Sequence, residues 1–310
     1  SGIGGARLAG LGHSPADGSR GGGAIAGYIQ CRSFPGEPGL SVDRAVRLPA
    51  SGSKSGHGGM SSCRVCPRLV VVAGWGVRAE MLSGLYGYWP GGAVAVSLDD
   101  ELLSRCQSLS EVTDELLSLY PEPSVWMGWS LGSQVVMEAA GRETGAVSCV
   151  ITLGGFPKFV ADERWLNGMA ESDFRAFARG IRRDPQRYWL HFLLLMINGS
   201  ADEKLERQRL KPWLEKGTLV SHEHLVTSLA WLESGDQRAL WRSLATPALH
   251  VMGENDIVVR SWAGDLAVPA SSGHAVIPGM AHWPGGCSAS DCWEAIQAFF
   301  ATQKALSWAL

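Results

Sequence analysis

A serine, an aspartate and a histidine stand in this chain in the order that a hydrolytic triad needs. Ser130 lies in Val125-Trp126-Met127-Gly128-Trp129-Ser130-Leu131-Gly132-Ser133-Gln134-Val135-Val136, which reads as a short apolar strand, a sharp turn and a helix. Gly-x-Ser-x-Gly between strand and helix is the pattern of a nucleophile elbow, where the serine occupies a strained turn. The residues two before and two after it must be small, because backbone passes close by, and glycine brings no Cβ to clash. The helix that follows would turn free N–H groups and its positive dipole end toward a developing oxyanion. So short a pattern also describes a tight turn that happens to hold a serine, so the reading depends on its partners.

A serine hydroxyl is a poor nucleophile until a base takes its proton. Histidine suits that role near neutral pH, and a carboxylate must hold its tautomer and stabilise its charged form. His282, in Pro278-Gly279-Met280-Ala281-His282-Trp283-Pro284, follows a predicted late strand. His13 and His57 lie near the start, and His191, His222 and His224 lie in a helical region. His250 falls inside a predicted strand, as a core residue would, and His274 precedes the last strand, at the wrong end. For the acid, Asp256 follows a strand directly in Gly253-Glu254-Asn255-Asp256-Ile257-Val258-Val259. Glu254 is its rival, but apolar Ile257 and Val258 point to an inward Asp256. The separations, 126 residues from Ser130 to Asp256 and 26 from Asp256 to His282, leave room for a helical insertion and then for one helix and one strand. An oxyanion hole needs two N–H donors. Leu131, directly after the serine, is one candidate, and Trp75, in the Gly74-Trp75-Gly76 loop after the first strand, is the other.

The elements that must carry these residues alternate. Leu69–Ala73 is an apolar run fit for a strand buried on both faces. Ala93–Val96, Val125–Gly128, Cys149–Leu153, Ala248–Met252 and Ala275–Ile277 are further strands. Leu109, Val112, Leu116, Leu117 and Leu119 mark a helix that Pro121 and Pro123 stop. Strand and helix in turn predict right-handed crossovers and a mostly parallel, doubly wound sheet. Between Phe156 and Trp241 the alternation gives way to helical spacing, including Phe174, Phe177, Ile181, Trp189, Phe192, Leu193 and Met196. The expected organisation is therefore an α/β core over 60–155 and 242–310 with a helical cap over 156–241. Trp189, Phe192, Leu193 and Met196 either line an acyl channel or belong to the core.

Residues 1–59 differ in kind. They hold 16 of the 39 glycines, with Ser, Pro and Arg between them, and sustain neither periodicity. Such a composition buries too little apolar surface to offset chain entropy, so this stretch reads as a disordered tail or an over-extended start. The whole chain is 45% hydrophobic, enough for a core, and the net charge of −3 creates no field that would draw nucleic acid or an anionic membrane. No apolar run reaches the ~18 residues of a membrane span, and no signal peptide is evident. Seven scattered cysteines read as thiols in a reducing, cytoplasmic setting rather than a disulfide framework. Cys63 and Cys66 form one C-x-x-C with no second pair, and His222 and His224 lack a carboxylate to complete a metal site; neither metal nor cofactor is expected.

Gly74-Trp75-Gly76, Gly128-Trp129-Ser130-Leu131-Gly132, Gly253-x-x-Asp256-x-x-Val259 and Ala281-His282 together resemble the α/β-hydrolase superfamily. Within it they are similar to the pimeloyl-[acyl-carrier protein] methyl ester esterases of biotin synthesis. The resemblance covers roughly 66–302. It implies an α/β-hydrolase fold with an inserted helical cap, with catalytic Ser130, Asp256 and His282 and an oxyanion hole at Trp75 and Leu131. It also implies cleavage of the methyl ester of a carrier-bound acyl chain. Many members have His-Gly where this chain has Ala73-Gly74, so support of that loop is expected to differ. Arg175, Arg179, Arg182, Arg183 and Arg187 fall within thirteen residues, a basic face suited to an acidic acyl-carrier protein or a solvated face balanced by Asp173 and Asp184. The chain is expected to act as a monomer. Two rivals stand beside this reading: another serine hydrolase, such as a lipid or short-chain esterase or acyl thioesterase, and a binding protein on the same fold. Limited proteolysis is expected to trim the chain to a product starting near Met60, read by mass spectrometry; survival of the full-length chain counts against a disordered tail.

Overall fold

The computed structural model describes residues 66–303, so the tail, His13, His57 and Cys63 lie outside the described residues. Six strands form one parallel sheet: β1 (Leu69–Val72), β2 (Ala93–Val96), β3 (Ser124–Trp129), β4 (Val147–Leu153), β5 (Ala248–Gly253) and β6 (Gly273–Ile277). Every pairing is parallel and the spatial order is β2-β1-β3-β4-β5-β6. The chain moves from β1 outward to β2, then returns to the other side of β1 for β3. The loops leaving β1 and β3 therefore diverge at a switch point, where open α/β sheets place their sites. Burial follows the sequence. Central β1, β3 and β5 are buried at every residue, whereas edge strands β2 and β6 alternate toward solvent.

The helices in chain order are α1 (Ser83–Tyr86), α2 (Asp100–Leu103), α3 (Leu109–Leu119), α4 (Leu131–Gly141), α5 (Glu171–Arg183), α6 (Pro185–Leu195), α7 (Glu203–Lys216), α8 (His222–Ser234), α9 (Arg238–Ser243) and α10 (Ala289–Thr302). Helices α5 to α9 all fall between β4 and β5. Several start on a side-chain cap that the sequence supplies: Asp99, Ser108, Asp184, Asp202 and Ser221 each accept a first-turn N–H of α2, α3, α6, α7 and α8. Among the described residues no helix is long and apolar enough to cross a membrane.

One expectation fails. No helix forms between Asp256 and β6, although Val258, Trp262 and Leu266 recur four apart. The Asp256 carboxylate takes the N–H groups of Val258 and Val259, the Trp262 indole donates to the Gly155 carbonyl (2.9 Å), and Gly264 has φ +91°. Tertiary hydrogen bonds outweigh a helical spacing too short to stand alone.

His250 on β5 is a core residue. Its Nδ1 shares a 2.9 Å hydrogen bond with the Thr152 hydroxyl of β4, and its ring stacks on Trp241 at 4.7 Å. His274, inside β6 rather than before it, lies 5.7 Å away, ring to ring. Burial, with His274 adding to it, pushes the His250 imidazole down to about 3. The unfolded chain therefore binds a proton that the folded chain refuses between the ordinary 6.5 and about 3, and stability falls as pH falls through that window. In calorimetry from pH 7.5 to 4, His250→Gln, which keeps a partner for Thr152 and cannot titrate, is expected to lose melting temperature less steeply than the parent; parallel declines would refute this.

Candidate active site

The elbow is built from close backbone contact. Ser130 has φ 54° and ψ −118°, a region that side chains rarely adopt, and its N–H donates to the Leu153 carbonyl of β4 (2.9 Å). A Cβ at Gly128 would run into the Gly132 carbonyl, and one at Gly132 into the carbonyls of Val72 and Ala73 at the end of β1. Ser133 ties the turn by donating its hydroxyl to the Gly128 carbonyl (2.8 Å). These contacts press the first turn of α4 onto the ends of β1 and β3. Leu131 is the first residue of α4, a position whose N–H has no intrahelical acceptor.

His282 and Asp256 meet at this rim. His282 Nδ1 and Asp256 Oδ2 are 2.7 Å apart, with both side chains wholly buried. The other Asp256 oxygen accepts the N–H groups of Val258 and Val259, both at 2.8 Å. Four groups hold the pair. Gly253 lets the carbonyls of Met280 and Ala281 pack against β5's end. The Asn255 N–H donates to Met280 (2.9 Å), and the Trp129 indole, one residue before Ser130, donates to the His282 carbonyl (2.9 Å). Gly154, with φ +51°, lies under the imidazole, where a Cβ would stand 3.1 Å from Nδ1. His282 Nε2 is buried and has no hydrogen-bond partner among the described residues. A desolvated ring nitrogen without a partner is costly. It is also the atom that a base must offer. Glu254 plays a different part: exposed, it accepts the Gly279 N–H (3.0 Å) and splints the turn before His282.

Ser130 lies on the floor of a cavity of about 330 Å³. Trp75, Phe159, Met169, Phe177, Phe192, Leu195, Leu229 and Leu232 make it apolar, and Asp173, Tyr188 and His191 add polar groups. Trp75 stands beside the serine, with Phe177 and Phe192 edge-on at 5.8 and 5.2 Å. Of Trp189, Phe192, Leu193 and Met196, Phe192 lines it, and Leu193, Met196 and Trp189 are core. The 3.6-residue period of α6 gives the pocket 188, 191, 192 and 195 and turns 189, 193 and 196 the other way.

The profile of the Alpha/beta hydrolase family matches residues 45–293. The chain belongs to the α/β-hydrolase family. The match covers all three residues above. This α/β-hydrolase is 31% identical over 247 residues to a protein named pimeloyl-[acyl-carrier protein] methyl ester esterase from Xanthomonas oryzae pv. oryzae, spanning 76% of this chain and 96% of that one. It is 29% identical over 218 residues to a protein of the same name from Methylococcus capsulatus, spanning 67% and 83%. Among solved structures it is similar in fold to a bromoperoxidase from Bacillus anthracis, with TM-score 0.66 and 17% identity over 76% of this chain and 92% of that one.

In this hydrolase the five arginines are all exposed and none lines the cavity. Arg175, Arg179 and Arg183 lie on α5 away from buried Phe174, Ala178 and Ile181, Arg182 lies at the edge of that buried face, and Arg187 lies in the first turn of α6. Arg175 pairs with Glu171, an exposed contact of small energetic weight. His224 pairs with Asp100 (2.7 Å), tying α8 to α2. Cys66, Cys106, Cys149 and Cys292 carry free thiols.

Glu206 on α7 was not legible as part of this region. It is buried and accepts the Cys287 N–H (2.8 Å). Arg209, one turn on, donates to the Gly286 carbonyl (3.3 Å). Burial pushes the Glu206 carboxyl up, against the pull of the Cys287 N–H. The pair grips the backbone just after His282, and only the folded chain puts 206 beside 287. Of the elbow's glycines, Gly132 is the most constrained by neighbouring strand carbonyls. Gly132→Ala is expected to destabilise the protein by about 1–3 kcal/mol through overpacking and to displace Ser130, read as a lower denaturation midpoint together with loss of fluorophosphonate labelling; parental labelling would refute the assignment of the elbow.

Proposed function

We propose that this chain is a serine carboxylesterase that hydrolyses the methyl ester of a carrier-bound acyl chain, pimeloyl-[acyl-carrier protein] methyl ester of biotin synthesis. One observation carries the chemistry: the wholly buried His282–Asp256 pair, with Nε2 unpartnered among the described residues, tied through Trp129 and Gly154 to the turn of a strained serine that lines an apolar cavity. The substrate reading is supported by relatives of that name, similar along most of their length. It is also supported by a cavity whose walls suit an alkyl chain.

Ser130 is the nucleophile. His282 Nε2 takes its proton as Oγ attacks the ester carbonyl, and the N–H groups of Trp75 and Leu131 stabilise the oxyanion. His282 then returns the proton to the leaving methoxide, releasing methanol and an acyl-enzyme. Water, deprotonated by His282, cleaves that acyl-enzyme to the free acid, and the proton goes back to Ser130. Asp256 holds Nδ1–H throughout. The backbone N–H groups of Val258 and Val259 hold the other Asp256 oxygen and fix the carboxyl in place. No metal or organic cofactor enters this route. Residues 60–155 and 242–310 would form the catalytic core and 156–241 the cap.

The exposed arginines of α5 and α6 supply positive charge for an acidic carrier protein. Arg187 shares a shallow depression with His191, which also lines the cavity. Free thiols fit a reducing, cytoplasmic setting, and the enzyme is read as a monomer.

Ser130→Ala is expected to remove turnover of a short p-nitrophenyl ester, with circular dichroism unchanged. Asp256→Asn is expected to lower kcat by about four orders of magnitude, as misplacing the tautomer does in other triads. Only the parent should restore growth to a biotin-requiring strain lacking its esterase. Activity surviving in Ser130→Ala refutes the mechanism; an active parent that fails to rescue growth refutes the substrate and leaves a different esterase or thioesterase.

A further inference from the structure

The loop that carries Trp75 is gripped by helices from the insertion. The Trp189 indole of α6 is buried and donates its N–H to the Gly76 carbonyl at 2.7 Å. The Trp75 indole in turn donates to the Leu225 carbonyl of α8 at 3.0 Å. Gly76 has φ +64°, and a Cβ there would stand 3.1 Å from the Leu225 side chain and 3.3 Å from the Trp189 ring. Residue 75 is thus held by its own side chain on one side and by the next carbonyl on the other. The Gly76 carbonyl lies two peptide units after the Trp75 N–H, so holding it together with the Trp75 side chain restricts the backbone rotations on which that N–H direction depends. The neighbours of Trp189 on α6, Tyr188 and Phe192, line the cavity, so the helix touching a bound acyl chain is the helix touching the loop.

We propose that Trp189 is a positioning residue for the oxyanion hole: its indole N–H holds the Gly76 peptide so that the Trp75 N–H points at the oxygen that becomes charged. The inference rests on the serine-esterase reading above. Its physical basis is preorganisation, because a donor that must reorient during the reaction loses most of its effect on the transition state. Trp189 touches neither substrate nor reacting atoms, so its removal acts on the chemical step and leaves ground-state binding alone.

Trp189→Phe deletes the N–H and keeps an aromatic ring. It is expected to lower kcat about tenfold with KM nearly unchanged, since a loosened donor costs less than a deleted one. An alkyl trifluoromethyl ketone, which mimics the tetrahedral oxyanion, should bind more weakly by the same factor, while inhibition by the product carboxylate stays as in the parent. Trp189→His, which retains a ring N–H, should recover part of kcat. Thermal melting reports separately on folding. The proposal is overturned if Trp189→Phe keeps parental kcat, or if ketone and carboxylate binding weaken together. Those results in an enzyme that Ser130→Ala still inactivates overturn this inference alone; activity in Ser130→Ala overturns the reading beneath it.

Discussion

The structure depends on one close approach: the first turn of α4 lies against the carboxyl ends of β1 and β3 with no room for a side chain between. Gly128 and Gly132 permit that contact, and a Cβ at either would strike backbone. The approach sets Ser130 in its positive-φ conformation, places the N-terminus of α4 beside the serine, and brings the loop after β1 opposite it. A strained residue persists only where its surroundings over-determine it. Here the N–H of Ser130 is held by Leu153, its carbonyl by Ser133, and the residue before it by the His282 carbonyl.

Around that contact the polar groups form a closed chain of backbone partners. The elbow strand holds the His282 carbonyl, the acid loop holds the Met280 carbonyl, and the Asp256 carboxylate holds two N–H groups of its own loop. The helices between β4 and β5 extend it. Asn255 donates to the Gly199 carbonyl, the Trp283 N–H to Met196, and Glu206 with Arg209 grips the peptide after Gly286. Trp189 and Leu225 do the same for the loop of Gly74, Trp75 and Gly76. The helices between β4 and β5 are therefore tied to the loops after β1, β5 and β6, through hydrogen bonds that are costly to leave unmade once buried.

Much of this is legible in the amino-acid sequence. The strands stood where β-branched runs predicted them, because a strand buried on both faces must be apolar at consecutive positions. The elbow was legible because glycine is demanded by a local backbone contact. Asp256 and His282 were expected by place, each after a strand, and the fold brings the two side chains within 2.7 Å of each other. The helix expected after Asp256 did not form, because Val258 and Val259 spend their N–H groups on that carboxylate and Trp262 reaches across to Gly155. Periodicity marked α6 as amphipathic but left open which of its faces, 188-192-195 or 189-193-196, meets the cavity.

The sequence by itself determined the alternation of elements, the glycines that admit a tight turn, and the order of serine, acid and histidine, since each follows from local sterics or from burial along one segment. Only the tertiary structure decided which nitrogen of His282 meets Asp256, which face of α6 lines the cavity, and that Trp189 and Glu206 reach loops more than seventy residues away. Those are contacts between distant segments, and hydrogen-bonding side chains carry no mark in the sequence of the backbone group they will find.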